Sequence, residues 1–102
     1  MTLRFHPAAA DELDAAAAWY VERDAEVALR FVTEARRRVA QAERLPQSAP
    51  LVLGVARHFD ARAFALRGFP YLAVTAVARA ERVVVALAHT SRAPGYWRQR
   101  LR

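Results

Sequence analysis

The chain has 102 residues, 55% of them hydrophobic and 25% charged, which is one domain's worth of globular protein and excludes multidomain and disordered readings. Cysteine is absent, and all sixteen basic residues are arginine against ten acidic ones, for a net charge of +6. Disulfides, thiolate nucleophiles, thiolate metal sites, lysine Schiff bases and Walker-type phosphate lysines are thereby excluded, while the positive balance favours nucleic acid or an acidic protein surface as partner.

In chain order, Leu3 to Phe5 reads as a short strand. Pro7 suits the first position of a helix, where its missing N–H costs nothing, and Asp11 and Glu12 follow where carboxylates favour the positive helix end. Leu13, Ala16, Ala17 and Tyr20 recur at helical spacing, which predicts a helix from about Pro7 to Arg23. Asp24 is placed to cap a second helix, whose apolar stripe is Ala28, Phe31, Val32, Ala35, Val39 and Ala42, with Arg30 and Glu34 paired at i,i+4. Pro46 stops it. Two helices with so short a connection must lie antiparallel, as a helical hairpin.

Residues 46–54 form the one loop of length, after which the apolar period changes to two. Arg62, Phe64 and Leu66 alternate with Ala61, Ala63 and Ala65; Gly68 and Pro70 mark a turn; Tyr71 to Val77 and Val83 to Ala88 are valine-rich. These three segments predict an antiparallel meander. The fold class is α+β, β-α-α-β-β-β, with the N-terminal helical hairpin packed on one face of a small antiparallel sheet. The second sheet face is expected to lie open to solvent or a partner. One domain spans 1–102. No apolar stretch precedes a cleavage site at the N-terminus, and the longest apolar run, Phe69 to Ala78, is about half the ~20 residues of a membrane span. A cytoplasmic protein without membrane contact is expected.

The tail is unusual in composition. His89-Thr90-Ser91-Arg92-Ala93-Pro94-Gly95-Tyr96-Trp97-Arg98-Gln99-Arg100 combines two large aromatics, three arginines and a histidine, where chain ends are ordinarily polar and frayed. Four pieces in order carry a family resemblance: Phe5-His6-Pro7 with Ala9, Asp11 and Leu13; Trp19-Tyr20; Arg67-Gly68-Phe69-Pro70-Tyr71; and the tail, of the form H-x-x-R-x-P-x-Y-W-x-x-R. The chain resembles toxins of the RelE/ParE superfamily from type II toxin–antitoxin modules, and is closer to the ParE branch. That resemblance implies a cognate antitoxin protein, growth arrest by the free toxin, and DNA gyrase as the target, poisoned by binding rather than by turnover. DNA would be engaged only through the antitoxin complex. The RelE branch implies cleavage of mRNA on the ribosome, and a non-toxic module acting in operon autoregulation is a third reading.

The branch turns on basic residues. Cleaving RNA needs a base for the 2′-hydroxyl and cations for the phosphorane charge. A nuclease built here would need Arg62, Arg67, His89 and Tyr71 to converge, which no local spacing suggests. For contact with target or antitoxin the candidates are Arg67, His89, Arg92, Tyr96, Trp97 and Arg100. Four of them have a bland alternative: His89 bonding the tail backbone, Trp97 latching over the core, and Arg92 or Arg100 bridging to a carboxylate of the first helix. Trp19 and Tyr20 read as core or hairpin packing, and Arg36 to Arg38 as a solvated helix face. Three scattered histidines make no metal site, and no cofactor is expected.

Overall fold

The computed structural model describes residues 2–101. Its elements are β1 (Arg4–Phe5), α1 (Pro7–Val21), α2 (Ala25–Arg44), β2 (Arg62–Ala65), β3 (Tyr71–Ala78) and β4 (Glu81–His89), with short 3-10 turns at Arg57–Phe59 and Arg98–Leu101. Pro7 opens α1, and the His6 ring caps it by accepting the Ala8 N–H at 3.1 Å. The Asp24 carboxylate caps α2, accepting from Glu26 and Val27. Glu34 pairs with Arg37, three residues on, rather than with Arg30. It also accepts the Arg67 main-chain N–H at 2.7 Å, so α2 fastens the chain just past the end of β2.

The sheet order is β1-β4-β3-β2. The β2-β3-β4 meander is antiparallel as expected, but β1 runs parallel to β4, so the sheet is mixed. The reason is connectivity: β1 reaches β4 only after the helical hairpin and two further strands, so no tight turn obliges it to run antiparallel. The hairpin covers one sheet face. Between them lie Phe31 and Phe64, both fully buried, and the rings of Tyr20, Phe31, Phe69 and Tyr71, with neighbouring centroids 5.0–5.3 Å apart in tilted or edge-to-face contacts. Such geometry adds about 0.5–1.5 kcal/mol per pair beyond area burial.

The second face is not open. Trp97 (3% exposed) and Leu101 pack with Ala61, Val74, Ala76 and Val85 in a second core. Val52, Val55 and Phe59 from the connection before β2 border it. A face lined by alanine and valine is flat and apolar, and the aromatic tail is the segment available to cover it. Arg98 ties tail to connection, its guanidinium lying so close to Gly54 and Gly95 that a Cβ on either would fall within 3 Å of it.

One irregularity aims the last strand. The register passes from Val74↔Ala86 to Thr75↔Val84, which leaves Val85 as an extra residue in β4. Val85 and Ala86 therefore both join the tail-side core, while Val84 and Leu87 face the helices. Unbroken alternation would have put Val85, Leu87 and His89 on one face; the bulge separates Val85 from the other two.

The β3–β4 connection is a two-residue turn, with Ala78 opposite Glu81. Its residues, Arg79 (φ 54°) and Ala80 (φ 63°), are both left-handed, a conformation that favours Asn-Gly. Replacing the pair by Asn-Gly is expected to stabilise the protein by about 1 kcal/mol, read as a raised urea midpoint. An unchanged midpoint would mean the tip is not held in this geometry.

A candidate binding groove beside the last strand

β1 ends opposite Val84, so β4 continues past it without a strand neighbour on that side. Two of its main-chain groups there are taken by side chains. The Leu87 N–H donates to Glu12 Oε1 at 3.0 Å, and the Val85 carbonyl accepts from Arg100 Nη1 at 3.1 Å. Glu12 and Arg100 are joined by two further bonds, Nη1 to Oε1 at 2.9 Å and Nη2 to Oε2 at 3.1 Å, and the Tyr96 hydroxyl donates to Oε2. Both charged side chains are only 16% exposed. An ion pair between α1 and the tail thus stands in for a strand and closes an edge that would otherwise present unpaired backbone.

The hub sets the local titrations. Burial raises the Glu12 carboxyl, but the bonds from Arg100, Tyr96 and the Leu87 N–H outweigh it, and the net shift is below the ordinary 4.5. Burial, then the bond to Glu12, pushes the Tyr96 phenol up to about 12. A carboxylate with a depressed folded pKa contributes stability that is present above its unfolded value and lost as pH falls through the folded one. A phenol held neutral contributes stability that is lost as pH rises from its unfolded value to its folded one. Stability should therefore be flat from about pH 5 to pH 9, falling below about 4.5 and again above about 10. Urea midpoints across pH check this, and Glu12→Gln should make the acid limb shallower without removing it, because the Glu34 and Asp60 carboxyls are also held below their ordinary values by their arginine partners.

In front of the hub lies an open groove of about 420 Å³, bordered by Glu12, Trp19, Tyr71, Leu87, His89 and Arg92. α1 supplies one wall and the ends of β3 and β4 the other. A tight turn closes with the Arg92 N–H donating to the His89 carbonyl at 3.0 Å, bringing those two residues to one rim. His89 Nδ1 accepts the Ser91 N–H at 3.0 Å, with Ser91 Oγ at 2.7 Å. A main-chain amide can only donate, so the proton of the neutral ring is on Nε2. The His89 ring stands edge-on to Tyr71, centroids 5.0 Å apart. The Arg92 guanidinium stacks 3.7 Å from the centroid of Tyr96 and lies 3.5 Å from Glu12, while its side chain stays 53% exposed.

The candidate residues divide cleanly. Tyr71, His89 and Arg92 meet at the groove. Arg62 does not: it lies opposite Thr75 in the β2–β3 register, four positions from Tyr71 and so about 13 Å along the sheet. There Asp60 holds it at 2.8 Å and shares its other oxygen with Arg82. The nuclease set of Arg62, Arg67, His89 and Tyr71 therefore does not converge. Arg67 is exposed beyond β2, with its main chain fixed by Glu34. Trp97 and Arg100 belong to the fold, and Tyr96 links the hub to Arg92. Trp19 corrects the expectation of core or hairpin packing: it is 50% exposed, with the Arg23 guanidinium 3.6 Å from its ring centroid, and Tyr20 alone enters the core. Glu12, which organises the site, was read only as a helix-end carboxylate. Its one further signal was the prospect of a bridge from the tail arginines to the first helix.

The chain is a helical hairpin on a mixed four-stranded sheet, with an arginine-bearing tail latched to the first helix. The family model described as ParE toxin of type II toxin-antitoxin system, parDE, matches residues 3–94, and the chain belongs to that family. Among solved structures, it is similar to a chain of the chromosomal ParDE TA system from P. aeruginosa, with TM-score 0.72 and 25% identity over 89% of this chain and 97% of that one. No curated protein sequence matches.

Proposed function

We propose that this ParE-family toxin arrests growth in the cytoplasm by binding and poisoning DNA gyrase, without turnover of its own, until a cognate antitoxin neutralises it. Family membership supports the toxin role and the antitoxin partner. The observation that carries the binding reading over a nuclease one is the separation of Arg62, locked to Asp60, from Tyr71 and His89. What gathers at the groove is one half-exposed guanidinium, a histidine N–H and aromatic surface, which suits contact with a partner. Among the described residues no helix is long and apolar enough to cross a membrane.

The experiment is induction of the chain without its antitoxin, with DNA breaks and transcript ends mapped in the same cells. DNA breaks are expected; codon-phased mRNA cuts would install the ribonuclease reading, and normal growth would leave an antitoxin-binding module acting in autoregulation. Arg92→Ala should keep the fold, because the side chain is half exposed and such substitutions stay within about 0.5 kcal/mol. It should nonetheless reduce toxicity more than His89→Gln does. A nuclease would show the reverse, since losing its base costs roughly a hundred- to ten-thousand-fold in rate. Arg100→Ala should lose toxicity together with stability.

A further inference from the structure

The groove's chemistry says more than that it binds. Its single carboxylate, Glu12, is committed to Arg100, Tyr96 and the Leu87 N–H, with Arg92 at 3.5 Å, so no free anion faces a ligand there. Arg92 is held flat on Tyr96 at 3.7 Å, which occupies one face of its guanidinium, and its Nη1 lies 3.5 Å from Glu12 Oε2, which leaves the Nε–Nη2 edge to form a fork beside His89. That fork matches the paired oxygens of a phosphate. Trp19, half exposed with Arg23 over one side of its ring, and the part of Tyr71 that is not packed on Phe31 supply ring surface within the same 420 Å³, a volume in the range of small-ligand sites. Exposed aromatic surface beside an arginine, on a chain of net charge +6, is the arrangement with which proteins hold unpaired bases.

We infer that the groove takes one unstacked nucleotide of a single DNA strand, its base against Trp19 and Tyr71 and its phosphate at Arg92 and His89. The inference rests on the gyrase reading for its biological setting. A toxin that occupies a base beside the break would hold the cleaved DNA open by contacting strand and enzyme together. An acidic peptide could also meet Arg92 and pack an apolar side chain on the rings, and competition with a glutamate-rich peptide tells the two occupants apart.

The test uses the full chain freed of antitoxin, with no gyrase present, so its outcome is independent of the induction experiment. A short fluorescein-labelled oligothymidylate is titrated with toxin, following anisotropy and tryptophan emission. Trp97 is buried and Trp19 half exposed, so quenching reports the groove. Binding with quenching is expected for the single strand and much weaker binding for a blunt duplex. Trp19→Ala should weaken it about five-fold or more, and Arg92→Ala should lower the log–log salt slope by about 0.7. Arg30→Ala, on the exposed face of α2, should leave the emission change intact. The inference is overturned by anisotropy change without quenching, by equal losses in Arg30→Ala and Arg92→Ala, by equal affinity for duplex, or by no binding. It is also overturned if a glutamate-rich peptide displaces the strand at equal charge concentration.

Discussion

Glu12→Ala is expected to destabilise the protein by about 3–5 kcal/mol, the loss seen when one member of a buried ion pair is removed. The substitution leaves the Arg100 guanidinium, only 16% exposed, without its carboxylate, and leaves the Leu87 N–H and the Tyr96 hydroxyl without an acceptor. For a domain of this length that corresponds to a fall in melting temperature of roughly 12–40 °C. Thermal unfolding of the purified variant checks it, and a fall of only a few degrees would show that water replaces the hub at little cost. Arg100→Met combined with Glu12→Leu should lose less than the two single changes summed, because it leaves neither charge stranded.

Removing residues 93–102 should leave a chain that does not hold its fold. The truncation removes Trp97 and Leu101, both in the second core, and emptying such sites costs about 3–5 and 2–5 kcal/mol respectively. It also deletes Tyr96 and Arg100 from the hub. Together these losses match the whole stability of a small domain, about 5–15 kcal/mol. Trp97→Ala by itself should cost about 3–5 kcal/mol and keep a cooperative transition at a lower urea midpoint. A truncated chain that melted like the full one would mean the tail is a contact arm rather than the cover of the second sheet face.

These two results separate roles that the tail's composition ran together. Arg92 and Arg100 were equivalent as residues near a chain end, both candidates for a partner. The structure gives Arg100 to the fold through Glu12 and Val85, and leaves Arg92 at the groove with over half its side chain in water. Tyr96 stands between, bonded to Glu12 and stacked under Arg92. A loss of toxicity on changing tail residues would therefore have two causes, which stability measurements tell apart.

What the sequence by itself determined is what depends on neighbours a few positions away. The Asp24 cap bonds two and three residues on, Pro7 opens its own helix, and the change of apolar period from helical to alternating separates hairpin from meander. These are short-range regularities, so element order, the α+β class and the family resemblance were all legible. The tertiary structure decided what depends on residues far apart in the chain or on one inserted position. Val85 shifts the faces of β4, and no spacing announces it because Val83, Val84 and Val85 are chemically alike. The parallel pairing of β1, the covering of the second face by Trp97, and the bond between Glu12 and Arg100 across 88 positions arise from closure of the whole chain. Unpaired backbone on an open edge and flat apolar surface in water each cost free energy, and the tail relieves both at once.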